Sequence, residues 1–368
     1  MSRRDFLKHT ALLAGGAMLP TLSRAAGSDS ELNNSMPGTD WRTFEITHKI
    51  NVPEAGGPVK AWFPLPSLHE TAWMRPMGDL WHTNADDAYV VADPVYGARM
   101  LYAEWSADKT PELEITSRFA GRDRSLAADV DQPVAELSEE ERALYTNPTR
   151  LLPTDGIVGK TARSITDGIE GDEAKARAIY EWVVENTFRD PETKGCGLGD
   201  ISYMLETGDL GGKCADLNAL YVGLARAAGL AARDVYGIRV TESRMGFKSL
   251  GKSGDISKGQ HCRAEVFLDG QGWVAIDPAD VRKVALEEPP GELSMDDPEV
   301  VKARELLFGG WETNWLAYNV AHDIQLPGSD GPELGYLMYP QVEIDGKRLD
   351  SLNPQKGGYQ ILSKEITA

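Results

Sequence analysis

From Trp41 onward apolar and polar residues alternate with a period of two. Phe44, Ile46, His48 and Ile50 fall on one face, and Val59, Ala61 and Phe63 repeat the pattern in the next run. Tyr89-Val90-Val91, Met100 to Trp105 and Leu113-Glu114-Ile115 continue it, with Pro, Gly and Asp between the runs, so residues 41–125 are expected to form a small β-rich domain. An acidic, loop-rich stretch follows, with a helix start at Ser138-Glu139-Glu140-Glu141, and residues 126–171 read as a connecting segment. The period then becomes helical: over 172–187 Ile179, Trp182 and Val183 share a face and Asp172 is a plausible cap. A second helix is expected after Cys214, where Leu217, Leu220, Tyr221, Leu224 and Ala228 form a stripe and Gly229 stops it. Gln260 to Leu268 and Trp273 to Asp277 alternate as two strands around a turn at Asp269 to Gly272. Past Pro289, Val301 to Leu307 reads as a helix and Gly310 to Leu326 as strands closing the core sheet. Tyr336 to Ile344 reads as an edge strand. The expected organisation is therefore a mixed helix-and-sheet core over 172–330 and a C-terminal strand and tail over 331–368.

The first 40 residues do not fit this pattern. Ser2-Arg3-Arg4-Asp5-Phe6-Leu7-Lys8 resembles a twin-arginine export motif, and the apolar stretch Ala11 to Leu22 is too short to span a bilayer as a helix. Ser23-Arg24-Ala25 offers small residues for cleavage after Ala25. Residues 1–26 are thus expected to be a twin-arginine signal peptide and 27–40 a flexible lead-in. The mature protein would then be periplasmic or secreted, with no stable membrane insertion after cleavage.

Charge narrows the partners. The chain of 368 residues carries 38 basic and 57 acidic side chains, a formal −19. Removing Arg3, Arg4, Lys8, Arg24 and Asp5 with the leader leaves 34 and 56, or −22. That excess disfavours nucleic acid and anionic membrane as partners; it permits a basic peptide without requiring one. The three cysteines and six histidines show no zinc-like spacing, so no metal and no cofactor is expected. Nothing in the pattern sets an oligomeric state.

The candidate chemistry lies in the core. Cys214 follows Gly211-Gly212-Lys213 at the start of the expected helix, where the positive end of the dipole and unpaired N–H groups favour a thiolate. His261 and Asp277 sit on the two arms of the expected hairpin. With an odd loop, Arg263 faces Asp277 and His261 becomes its same-face diagonal neighbour, within reach of a hydrogen bond. With an even loop the two lie on opposite faces. Strand alternation points Cys262 away from His261, as a packing residue. Cys196 and Cys262 remain either a bridge or two buried thiols. Gly195-Cys196-Gly197-Leu198-Gly199 lacks the spacing and strand of a nucleotide-binding loop. His48, His69 and His82 read as packing or surface residues, and His322-Asp323 as a structural pair.

Four segments, taken in order, carry a resemblance. Gly212-Lys213-Cys214, Leu224 to Arg233, His261-Cys262-Arg263-Ala264-Glu265 and Gly272 to Pro278 are similar to the transglutaminase-like superfamily over roughly residues 172–285. The resemblance implies a papain-like α+β core, a helix packed on an antiparallel sheet, preceded here by the β-rich domain. It implies Cys214 as nucleophile, His261 as base and Asp277 as the orienting acid. The expected activity is acyl transfer from peptide or protein amides through a cysteine thioester, with hydrolysis favoured over crosslinking. The aromatic residue that animal-type members carry before the cysteine has no counterpart in 195–200. The backbone N–H of Cys214 is one expected oxyanion donor; Gly197 and Gly199 are candidates for the second, with Tyr203 an alternative. A catalytically silent binding or assembly module in the periplasm is the competing reading. A thiol redox protein using Cys196 and Cys214 is disfavoured by the absence of a Cys-x-x-Cys motif.

Overall fold

A computed structural model describes residues 40–53, 55–70, 72–125, 134 and 136–367. The expected signal peptide, its cleavage site, nearly all of the lead-in and residues 126–133 of the connecting segment lie outside the described residues. In chain order the elements begin with β1 (Arg42–Ile50), β2 (Val59–Pro64), β3 (Met74–Thr83), β4 (Asp87–Ala92), β5 (Arg99–Trp105) and β6 (Leu113–Gly121). Next come α1 (Glu139–Thr146), α2 (Gly156–Thr166), α3 (Asp172–Asn186), β7 (Phe188–Arg189), α4 (Ile201–Thr207), β8 (Gly211–Gly212) and α5 (Cys214–Ala227). They continue with β9 (Ala232–Arg239), β10 (Gly254–Asp255), β11 (Gln260–Leu268), β12 (Gly272–Ile276), α6 (Pro278–Glu287) and α7 (Pro298–Leu306). The chain closes with β13 (Trp315–Asn319), β14 (His322–Ile324), β15 (Leu334–Tyr336), β16 (Gln341–Ile344), β17 (Lys347–Arg348), α8 (Pro354–Gly357) and β18 (Tyr359–Ile366).

The period-two runs become two five-stranded sheets, ordered β10-β18-β1-β6-β3 and β17-β16-β2-β5-β4. Phe44 and Ile46 of β1 share one apolar cluster with Val59, Ala61 and Phe63 of β2, so the two sheets bury their inner faces in a common core. These sheets are not built from residues 41–125 alone. The last strand, β18, pairs with β1 along its length, and β16 pairs with β2, so the C-terminal segment is woven into both.

The site rests on a separate antiparallel sheet, ordered β12-β11-β9-β13. Helix α5 packs against it and is buried on every side from Cys214 to Arg226, as its nearly uninterrupted apolar sequence demands. In the β11–β12 hairpin Leu268 faces Gly272 and Ala264 faces Ile276. Continuing that register puts Arg263 opposite Asp277, the odd-loop arrangement. Glu265 on β11 is fully buried, where its carboxylate takes Arg124 at 2.5 Å and Arg233 at 2.6 Å. Arg233 also reaches Glu70 at 2.9 Å, so charge-assisted bonds tie this sheet to the loop after β2. Among the described residues no helix is long and apolar enough to cross a membrane.

Candidate active site

Cys214 is the first residue of α5 and is only 4% exposed. The loop before it is fixed by Asp216, three residues on. One oxygen of that carboxylate accepts the N–H groups of Leu198 (3.0 Å) and Gly199 (2.9 Å), and the other accepts the N–H of Lys213 (3.0 Å). Ala215 N–H donates to Cys196 O at 2.8 Å, which holds the same loop over the helix start. Gly197 has to be glycine there: its φ is +96°, and an added Cβ would lie 1.8 Å from the Asp216 carboxylate.

His261 and Asp277 meet across the hairpin, His261 Nε2 lying 2.8 Å from Asp277 Oδ2. With Nε2 so engaged, Nδ1 is the ring nitrogen left for the thiol. The other Asp277 oxygen accepts the Asp280 N–H at 3.1 Å and Asn218 Nδ2 at 3.3 Å. Asp277 is thus both the N-cap of α6 and the partner of the imidazole. Asp280 supplies a second carboxylate, 3.5 Å from His261 Nε2 and held by Arg239 at 2.5 Å. His261, Asp277 and Asp280 bring their ligand atoms within 4.8 Å of one another, a set that could take a cation. The guanidinium of Arg239, with that of Arg263 at 3.5 Å from Asp277, already supplies positive charge there.

The electrostatics favour separated charge. Burial by itself pushes the Cys214 thiol up, but the neighbouring Cys196 and Cys262 thiols and the His261 ring stabilise the thiolate and hold it well below the ordinary thiol range. Burial and Arg239 push His261 down; Asp280, Asp277 and Cys214 outweigh them and leave it above its ordinary value. Burial and Asp280 raise Asp277 against the pull of His261 and Arg263. Asp280 goes the other way: burial disfavours its charge, yet Arg239, His261 and Arg263 keep it well below the usual carboxylate range.

A cavity of about 640 Å³ opens on Cys214 and His261. Cys196, Gln260 and Tyr339 also line it, whereas Gly197, Gly199 and Tyr203 do not. The N–H of Gly197 donates to Lys194 O at 3.1 Å and that of Gly199 to Asp216, so neither glycine offers the expected second oxyanion donor. Tyr203 is 63% exposed, outside the cavity. All three cysteines are free buried thiols, and Cys196 and Cys262 neighbour the Cys214 sulfur instead of bridging. His322 does not use the adjacent Asp323, whose carboxylate accepts the Arg150 N–H at 2.8 Å. It lies against Asp234 of β9, at 3.3 Å. Three residues of the site carry no motif in the sequence. Asn218 is a polar residue inside an apolar helical stripe, one turn after the cysteine, which is a legible signal. Asp280 follows Asp277 at the three-residue spacing of a helix first turn. Gln260 precedes His261; its buried Nε2 has no partner within the protein.

A thiol at a helix N-terminus, an imidazole beside it and a carboxylate behind the imidazole define the cysteine–histidine–aspartate class of centre. The profile described as "Transglutaminase-like superfamily" matches residues 159–278, which run from α2 through the hairpin to the start of α6. An uncharacterised protein of Haemophilus influenzae is 35% identical over 367 residues, covering 93% of this chain and 97% of its own. Among solved structures, a proposed cysteine protease from Cytophaga hutchinsonii is 14% identical with a TM-score of 0.48, covering 88% of this chain and 98% of its own. The periplasmic domain of TgpA from Pseudomonas aeruginosa is also 14% identical, with a TM-score of 0.36, covering 68% of this chain and 90% of its own. The chain belongs to the transglutaminase-like superfamily.

Proposed function

We propose that this protein is an exported thiol enzyme that cleaves peptide or protein amides through a thioester on Cys214. The observation that carries this reading is the meeting of Cys214 and His261 at one open cavity with Asp277 behind the imidazole, the thiol pushed down and the imidazole pushed up. The Cys214 sulfur attacks the amide carbonyl, the C–N bond breaks, and the imidazolium of His261 gives its proton to the leaving amine. Water then enters, His261 takes its proton, and the thioester C–S bond breaks to release the acid and return the thiolate. Asp277 keeps the imidazole in the reactive tautomer and stabilises its cation. The first oxyanion donor is the Cys214 N–H, which belongs to the helix turn whose N–H groups have no partner inside the helix. We assign the second to the amide of Gln260, a residue of the cavity lining whose buried Nε2 no protein group satisfies. Export would follow the twin-arginine route, and replacing Arg3 and Arg4 by lysine should then hold the protein in the cytoplasm.

The deciding experiment is residue-resolved alkylation of the mature protein against pH, with Cys214→Ala and His261→Ala beside it. Rapid modification of Cys214 well below the ordinary thiol pKa near 8.5, slowed by His261→Ala, supports the reading. Reaction of Cys214 only at the ordinary thiol pKa, indifferent to His261→Ala, replaces it with the silent binding module. Release of amine from peptide amides, with and without added amine acceptors, then separates hydrolysis from crosslinking.

A further inference from the structure

The charge of the active-site cavity contradicts that of the chain. Acidic side chains outnumber basic ones 57 to 38 overall. Yet the cavity over Cys214 is lined by Arg189, Lys213, Lys248, Lys252, Lys258 and Lys283, with Arg239 at its floor and no carboxylate among the lining residues. A random opening in this surface would be expected to carry the opposite sign.

The compensating carboxylates lie behind or beside the cavity, not in its lining. Arg239 is held by Asp280. Arg189 and Lys283 share the single carboxylate of Glu287. Lys213 Nζ donates to the backbone carbonyl of Thr193 at 2.7 Å, and the Asp190 carboxylate, outside the lining, feels its charge. Lys248, Lys252 and Lys258 are exposed on the segment between β9 and β11; Glu288 feels the charge of Lys248 and Asp255 that of Lys252, but neither carboxylate lines the cavity. The ammonium of Lys283 registers the field: burial, then Arg189 and Arg239, push its pKa down despite Glu287.

We propose that this cationic cleft selects an acidic peptide as acyl donor, with carboxylate side chains flanking the scissile amide paired to the lysines and arginines of the rim. The proposal rests on the thioester reading above and extends it to substrate class. It also bears on the fate of the thioester. A lysine side chain, cationic at neutral pH, would have to enter against the field, whereas water pays no such penalty, so hydrolysis wins over crosslinking. The permissive expectation of a basic peptide, drawn from the net charge of the chain, is replaced by its opposite at the site.

Two reagents test the field without knowledge of the substrate. Iodoacetate is an anion and iodoacetamide its neutral counterpart, and the ratio of their rates at Cys214 reports the local potential. That ratio should exceed the ratio for a small free thiol by about tenfold or more at low ionic strength, and should fall as salt is added. It should collapse in Lys248→Glu/Lys252→Glu/Lys258→Glu, and partly in the corresponding glutamine variant, which guards against misfolding of the charge-reversed form. A parallel series of peptide amides should give kcat/KM values about tenfold or more higher for glutamate-flanked than for lysine-flanked sequences. If Cys214 reacts readily but the reagent ratio matches that of a free thiol and is unmoved by charge reversal, the cleft proposal is overturned while the thioester reading stands. If Cys214 reacts with neither reagent below the ordinary thiol pKa, the thioester reading fails first.

Discussion

Among the described residues two buried histidine–aspartate pairs stand out, and one of them lies beside a cysteine thiol. His261 lines a cavity together with Cys214, and Asp277 lies 2.8 Å behind its ring, fully buried. His322 and Asp234 lie 3.3 Å apart, both nearly inaccessible, with the rings of Tyr96 and Tyr236 around the imidazole. Neither His322 nor Asp234 lines the cavity, and the nearby charge is the buried guanidinium of Arg226. In the proposed mechanism, then, the chemistry comes from where a pair is placed. His261 sits near the start of β11, before the β12 pairing begins at Ala264, and there the N-terminus of α5 brings a thiol to the ring. His322 sits on a three-residue strand that, among the described residues, pairs with β15 alone, where the open side is filled by tyrosines.

The comparison breaks most sharply at the nucleophile. Cys214→Ala should lower kcat/KM for amide cleavage by about 10⁶-fold, and His261→Ala by a similar amount without further loss in the double variant, because residues acting as one unit are not additive. Asp277→Asn comes next. The asparagine retains the shape of the N-cap yet favours the wrong imidazole tautomer, so a loss of about 10⁴-fold in kcat is expected with KM little changed. Gln260→Ala should cost about 10²-fold in kcat, with the pH dependence of alkylation unaltered, since an oxyanion donor acts on the transition state and not on the thiol. Each is read from steady-state kinetics beside circular dichroism to confirm folding. His322→Gln should spare kcat/KM and instead lower the unfolding free energy by about 1–3 kcal/mol, measured by denaturant titration, because it disturbs a buried polar contact outside the cavity.

Legibility in the sequence followed how local each signal was. Cys214, His261 and Asp277 could be read because each stands at an element boundary that composition marks: a glycine pair before a helix, a strand of alternating residues, a proline after a strand. The hairpin register was readable up to one binary choice, the parity of the loop, and β11 and β12 adopt the odd case. The pairing of β18 with β1 was not readable, because the partners are more than 300 residues apart and period two says which face a strand buries, never which neighbour it takes. The oxyanion assignment failed for a related reason. Glycines near a cysteine suggested free N–H groups, but Asp216 folds back to engage one of them, and that contact follows from the loop path and not from the motif. The cationic cleft was hidden by summation, since the short segment carrying Lys248, Lys252 and Lys258 meets Arg189, Lys213 and Lys283, distant in the chain, only around the cavity.

A third histidine sharpens the contrast to its smallest measurable effect. His48 of β1 is fully buried in the sandwich core, with Nε2 3.0 Å from the Tyr318 hydroxyl and, among the described residues, no carboxylate partner. Burial alone lowers its pKa to about 3. Below an unfolded value near 6.5 the unfolded chain takes a proton that the native state refuses, so this residue withdraws stability as pH falls from about 6.5 toward 3. His261 has the reverse sign: its raised pKa gives a contribution present below the unfolded value and lost as pH rises through the folded one. In denaturant titrations at pH 7 and pH 5, the stability of wild type relative to His48→Gln should therefore drop by about 2 kcal/mol on acidification. An unchanged difference between the two pH values would mean that His48 is protonated or solvated in the native core, and that burial depth does not separate a packing histidine from one that works.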